Sequence, residues 1–498
     1  MTAAIHNVQD FADWLPPMLV KELRQGLRAK MFVSAFVAVQ AVMIILLGFR
    51  LTGVMGGDYL PDHVDDYQWL AIGATLLILL PVRGLTAISE ETAQKTLDLM
   101  QLTSMSTTRL VWGKWCALAS QTLLLVVALL PYQVLTYFFG EVDVFANLQL
   151  LGWLVLASLV LTALCIALSS AHGWVKFVLL GLAALPIGAF GLGLIEQIDR
   201  GNGAGGIVSE GPNASWVLMF LYTGAMMTVF FMAVASARVS HVAENTSATI
   251  RCTALFTMLG SMIGICLSES DQSYAWMTLS MPMLMWAAME AMTEQASVIP
   301  GIYMSWVKMG KAGELWGRVL YPGWGTGIFF VLLMTAGLEV EVALIASKTG
   351  TWKDGTADMF GCMFQFGMAM LFPGAVLSAL PKARQRHVFF VLMQVAGIAW
   401  FVACTAANGG SRPNAVLLAL CPTSAFLGWV PFTYPSSHGV GHAVAVLMDC
   451  LMLIWMLMRA QTEFDTIRRG ELRARRLLNV GATASADSSI PVSSPQLP

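Results

Sequence analysis

Charge is scarce in this sequence: only 12% of its 498 residues are Asp, Glu, Lys or Arg, where soluble domains carry roughly 25%. With 57% hydrophobic residues, that scarcity excludes an ordinary soluble enzyme and points to an integral membrane protein. The net charge of −2 gives no sign of nucleic acid, and none is expected as a partner. Eight cysteines (116, 165, 252, 266, 362, 404, 421 and 450) are scattered, mostly in apolar runs, with no CxxC. They read as buried free thiols, not as disulfides or metal ligands.

Catalytic motifs are missing too. Gly310-Lys311 is followed by Ala312, and Ser305 stands where a phosphate-binding loop needs its first glycine. There is no HExxH and no nucleophile elbow. His438 and His442 have the i, i+4 spacing of a helical metal pair, but no third ligand is near, so no metal is expected. No cleavable signal peptide is expected: the first apolar run starts near Met31, after Asp10, Asp13, Lys21, Glu22, Arg24, Arg28 and Lys30. Asn213-Ala214-Ser215 is formally a glycosylation sequon, of consequence only in a eukaryote.

What the chain does have is a succession of apolar runs. First comes a short amphipathic segment, residues 15–30. Pro16 and Pro17 suit a helix start. Leu19, Val20, Leu23 and Leu27 line one face, while Lys21, Arg24, Arg28 and Lys30 sit elsewhere, the pattern of a helix lying among headgroups. Runs of spanning length follow near 31–50, 68–88, 112–138, 148–171, 175–195 and 215–237. A second set lies near 252–268, 274–292, 319–346, 359–380, 387–406 and 438–458. Stretch 413–431 is also apolar but holds Pro413, Pro422, Pro431 and Gly428.

The expected fold is an all-α polytopic membrane protein of about twelve spans in two six-helix sets, with 413–431 a re-entrant hairpin. With both termini cytoplasmic, 23 of the 28 Lys and Arg fall inside and 5 outside. If 413–431 spanned, the basic tail would move outside. The domains are expected as a cytoplasmic and interfacial N-terminus (1–30), a first bundle (31–240), a second bundle that is a candidate degenerate repeat (241–458), and a tail (459–498) that is basic and then disordered from 480. The repeat rests on Trp112-Gly113-Lys114 against Trp316-Gly317-Arg318, and on Thr249-Ile250-Arg251 against Thr466-Ile467-Arg468.

The most distinctive stretch is Ser89–Lys114, SEETAQKTLDLMQLTSMSTTRLVWGK, a long polar interruption between two apolar runs. It mixes acids and hydroxyls with helically spaced Leu97, Leu99, Met100 and Leu102, which suits a short helix presented at the membrane surface. It resembles the cytoplasmic loop of type-2 ABC transporter permeases. Glu91 stands as the leading acid, and Lys95-Thr96-Leu97-Asp98-Leu99-Met100 as the block written Gly-Thr-Leu-Glu-Leu-Leu in the family. Leu102-Thr103-Ser104-Met105-Ser106 and Leu110-Val111-Trp112-Gly113-Lys114 complete it. Lys95 replaces the usual glycine and Ser104 the usual proline, so the turn after the helix is looser. Pro17-Met-Leu-Val-Lys-Glu-Leu-Arg24 and Ala243–Arg251 also resemble family segments; the likeness is good over 15–251 and poor over 252–498.

The resemblance implies a permease subunit, an exporter in the cell inner membrane, that hydrolyses no ATP itself. ATP and Mg would belong to a separate cytoplasmic ATPase, in two copies if the repeat is real. Otherwise the chain would pair with a second copy or a second permease. Glu90, Glu91, Thr96, Leu97, Asp98, Leu99, Met100, Gly113 and Lys114 would seat that ATPase, with Lys21, Glu22, Arg24 and Arg28 on the interfacial helix. No cofactor is expected in this chain. A second reading starts from Asp449, the only charge expected within a span, the other eleven being read as free of charge. It would serve as the intramembrane polar site of a gradient-driven transporter.

Overall fold

The computed structural model describes residues 17–56, 64–89, 107–139, 144–169, 214–240, 244–350, 356–380, 386–407, 418, 421–429 and 440–487. Every regular element among them is helical. Ten of the helices are long and apolar enough to cross a membrane. This is the architecture of a multi-pass α-helical membrane protein, because in hydrocarbon a helix is one of the few ways a single segment can satisfy all its own backbone groups. The chain divides into two compact units, Met1–Ser240 and His241–Pro498.

In the N-terminal unit, α1 (Pro17–Arg28) leads into α2 (Lys30–Gly56). Next, α3 (Val64–Ala74) continues through a π turn at Thr75–Leu79 and a short piece, Leu80–Val82, to a 3-10 turn at Arg83–Leu85. The π turn has a local cause. Pro81 has no N–H to offer the preceding turn, and the Leu80 N–H reaches back five residues to the Thr75 carbonyl. Three long helices follow: α4 (Thr107–Phe139), α5 (Val144–Ser169) and α6 (Ala214–Val239). Phe32, Val39 and Met43 of α2 meet Ile72 and Leu76 from the third segment and Leu125 and Leu129 of α4 in one buried cluster. The expected span at 175–195 lies outside the described residues.

The C-terminal unit begins with α7 (Thr246–Leu267) and α8 (Ser270–Thr293), then two short helices, α9 (Pro300–Val307) and α10 (Gly310–Leu320). Long helices α11 (Trp324–Thr349), α12 (Thr356–Ala379) and α13 (Arg386–Ala407) come next, then α14 (Pro422–Trp429) and α15 (Val440–Asp487). Helix α8 covers the expected span 274–292 but is too polar to be among the ten, with Gln272, Ser273, Ser280 and Glu290 buried along it. It packs against α7 and α11. The approach of α7 to α8 is close enough that a methyl on Gly264 would strike the Trp276 ring, the small-residue contact that lets membrane helices gain dispersion energy.

Two expectations are corrected. The tail expected to be disordered from 480 is helical as far as Asp487, where α15 ends, and residues 488–498 lie outside the described residues. Ile467 and Ala474 pack α15 against α9 and Tyr321, and Ala460 lies beside Gly325 of α11, which supports the helix past the apolar run. Nor are eleven spans free of charge: Glu339 and Glu341 lie inside 319–346, and Glu290 inside 274–292. Glu341 is fully buried and accepts from the Ser261 hydroxyl, and Glu290 accepts from Trp286 Nε1 at 3.2 Å. Glu341 and Glu290 are tolerated because each faces a polar side chain within the bundle. Of the stretch 413–431, the described part is Leu418 and residues 421–429. Helix α14, at eight residues, is about 12 Å long and too short to span.

Candidate functional site

Most of the docking stretch, Glu90, Glu91, Thr96, Leu97, Asp98, Leu99 and Met100 included, lies outside the described residues. Its two ends do not. At the departing end, Ser169 Oγ at the close of α5 accepts from the backbone N–H groups of Ile88 (2.9 Å) and Ser89 (3.1 Å). One hydroxyl thus accepts from two successive backbone donors and ties this end of the stretch to α5. At the returning end, Gly113 and Lys114 sit in the second turn of α4. Lys114 is buried, its ammonium 3.5 Å from the Glu22 carboxylate of α1. A buried lysine needs such a partner, since an uncompensated charge there costs several kcal/mol, roughly.

That pair fixes α1. Lys21, Arg24 and Arg28 are on its exposed side, while Leu19, Leu23 and Leu27 are half-buried and the helix packs along α4. Arg83 reinforces the contact. It donates to Gln121 Oε1 on α4 and to the Gly26 carbonyl (3.4 Å), and its guanidinium lies 5.5 Å from the Phe32 ring centre. A methyl on Gly26 would run into the Gln121 amide, so the two helices meet closely there. Of the residues expected around the docking stretch, the structure therefore brings Glu22 and Lys114 together.

In the C-terminal unit the polar side chains gather at one end, in a cluster that sequence reasoning passed over. Arg251 is 1% exposed. It donates to Glu294 Oε2 (2.8 Å), the Val319 carbonyl (2.8 Å), Thr326 Oγ1 (3.0 Å) and the Gly323 carbonyl (3.2 Å). Ser247 donates to the other oxygen of Glu294 at 2.7 Å. Gly323 has φ +134°, a conformation that favours glycine and turns its carbonyl to the arginine. One planar fork thereby ties α7, the end of α8 and the entry to α11. The available signal was the acid at Glu294 opposite a span that begins with arginine.

Beyond this cluster α9, α10 and the extension of α15 form a small three-helix knob. Gly310, at φ +72°, makes the turn between α9 and α10. Its core holds Ile302, Tyr303, Tyr321, Ile467 and Ala474. The two tyrosine rings meet edge to face, 4.7 Å between centres, and Tyr303 donates to the Ser297 carbonyl. Burial pushes both phenols up from their usual range, and the nearby Glu471 carboxylate adds to it, so both stay protonated. Glu463 accepts from the Ala296 N–H (3.0 Å) and from the Trp324 side chain, and Arg475 pairs with Glu314.

Asp449 is 2% exposed and accepts from Gln365 Nε2 at 2.6 Å, joining α15 to α12. A second polar link lies nearby in the chain's packing: Thr423 donates to Gln394 Oε1 (2.8 Å), and Gln394 donates to the Ala369 carbonyl (2.8 Å). His438 lies outside the described residues, and no group of three metal-ligating side chains occurs among the described ones. No family model, curated protein or solved structure matches the chain.

Proposed function

We propose that the chain is the membrane-spanning permease subunit of a type-2 ABC transporter, an exporter of the cell inner membrane with both termini in the cytoplasm. A separate ATPase docks on the helix expected over 89–109, where Glu90, Glu91 and Asp98 give the charge and Leu97, Leu99 and Met100 the apolar anchor. The observation that carries this reading is the fastening of both ends of that stretch, by Ser169 at one and by the Glu22–Lys114 pair at the other. A push on a segment so held passes into α4, α5 and the interfacial helix and is not lost in a slack loop. ATP and Mg belong to the partner, in two copies if each unit offers a docking surface. The test is co-purification in mild detergent: Glu91→Lys/Asp98→Lys loses the ATPase while the melting temperature stays unchanged. Undiminished association of that variant overturns the docking assignment.

Asp449 favours a second reading, gradient-driven transport. An acid this deeply buried, held by one amide, is the kind of residue that binds an ion or proton at membrane depth. Flux in proteoliposomes under an ion gradient, without ATP and lost in Asp449→Asn, is its signature. Absence of any such flux in the unmutated protein removes it.

A further inference from the structure

On α10, Ala312, Leu315, Trp316 and Val319 share one face, the apolar stripe of an amphipathic helix. Such a stripe ordinarily turns inward. Here the buried positions are instead Gly313 and Gly317, against the backbone of Trp306 and the ring of Tyr321, together with Leu320 at the helix end, and the apolar stripe turns out. Leu315 is 68% exposed, Trp316 54%, and Met309 at the hairpin turn 64%. On the neighbouring extension of α15, Leu472 and Leu477 are also exposed.

Lipid is the first covering to consider, and distance argues against it. Glu314, one residue before Leu315, is paired with Arg475. Arg475 is sixteen residues beyond Arg459, the first charge after the apolar run of α15. At 1.5 Å per residue that is about 24 Å along the axis. Even with a tilt of about 40° the pair stands roughly 18 Å past the end of the apolar run. The headgroup layer is only about 5–8 Å thick. The apolar stripe is therefore presented to water.

The exposed charges around it are mostly basic, with Asp465 the exposed acid among residues 460–479. Lys308, Lys311 and Arg318 flank the stripe, and Arg468, Arg469 and Arg473 line the exposed side of α15. Against them, Glu314 is committed to Arg475 and Glu471 is half-buried beside Tyr321. The knob itself is held rigid by the tyrosine pair and by Glu463. A fixed apolar ridge with a basic rim complements an apolar groove with an acidic rim.

We propose that the knob formed by α9, α10 and residues 460–479 is a docking surface for a soluble protein. That partner would bring an acid-rimmed apolar groove, with Leu315 and Trp316 as the anchors. The surface is separate from stretch 89–109 and does not depend on the ATPase reading. The test places a benzophenone amino acid at position 316 of the full chain in its own membrane, irradiates, and identifies adducts by mass spectrometry. The captured protein is then purified and titrated against the unmodified chain in phosphatidylcholine nanodiscs.

The expected result is an adduct with one soluble protein whose binding weakens as salt rises. Affinity should fall at least tenfold in Leu315→Gln/Trp316→Gln, and likewise in Arg468→Gln/Arg473→Gln. Should either pair lower the melting temperature, Met309→Gln and Lys308→Gln/Lys311→Gln take their places. An adduct with phospholipid alone, with this chain or a second copy of it, or with nothing, overturns the proposal. So does unchanged affinity in either pair.

Discussion

In the N-terminal unit, the lysine of Trp112-Gly113-Lys114 turns inward and meets Glu22; in the C-terminal unit, the arginine of Trp316-Gly317-Arg318 turns out to water. The two Thr-Ile-Arg triplets differ in the same way. Ile250 and Ile467 are both buried, yet Arg251 is enclosed and Arg468 is exposed. Short strings of identical chemistry thus sit in opposite environments. The inward positive charge that holds each unit's polar end is supplied once by a lysine at the head of α4 and once by an arginine near the start of α7. A motif match names a residue type; the packing around it decides whether that residue holds the unit together or faces outward.

That contrast can be broken at either end, and the enclosed arginine should give the largest effect. Arg251→Met leaves the half-buried Glu294 without its cation, and the loss expected is about 3 kcal/mol. It is read as the change in unfolding midpoint in detergent, and Arg251→Met/Glu294→Gln should recover part of it. No loss in the single variant would mean that the fork does not hold the entry to α11.

In the N-terminal pair the cation is less deeply enclosed, 7% exposed against 1% for Arg251, and the contact is longer, 3.5 Å against 2.8 Å, while the two acids are alike at 16% and 18%. Lys114→Ala should therefore cost less, about 2 kcal/mol. The exchange Glu22→Lys/Lys114→Glu should restore more than half of that if the charge is what matters. A double-mutant cycle giving no coupling between 22 and 114 would detach α1 from this role.

Smaller effects are expected in the knob. Tyr303→Phe removes the bond to the Ser297 carbonyl and keeps the ring against Tyr321, so about 1 kcal/mol is lost. Glu314→Gln breaks a pair whose side chains are 27% and 48% exposed, and water screens it: under about 1 kcal/mol, vanishing at high salt. A larger loss for Glu314→Gln than for Tyr303→Phe would show that surface charge, not the tyrosine core, holds α10 in place.

Much of the fold was legible because the bilayer imposes one rule on every span. Runs such as 31–50, 215–237 and 387–406 lie within described helices whose bounds differ by a few residues. The amphipathic reading of 15–30 located both faces of α1 correctly, since a strong 3.6-residue pattern leaves little choice. The acids were less legible. Glu341 lies within an apolar run, and only the presence of Ser261 on a neighbouring helix makes it tolerable. Glu22 reads from sequence as one more polar residue of an interfacial helix, and nothing local distinguishes it from Lys21.

The sequence alone determined that this protein is a bundle of membrane-crossing helices, because length and apolarity of a segment are local properties that lipid tests one segment at a time. Tertiary structure decided the rest: that Arg251 and Lys114 turn inward, that α15 continues past its apolar run to brace a knob, and that the apolar stripe of α10 faces out. Each depends on a partner distant in the chain — Glu294, Glu22, Tyr303 — and the free energy of a buried charge or a packed ring is set by that partner, not by the residues beside it in sequence.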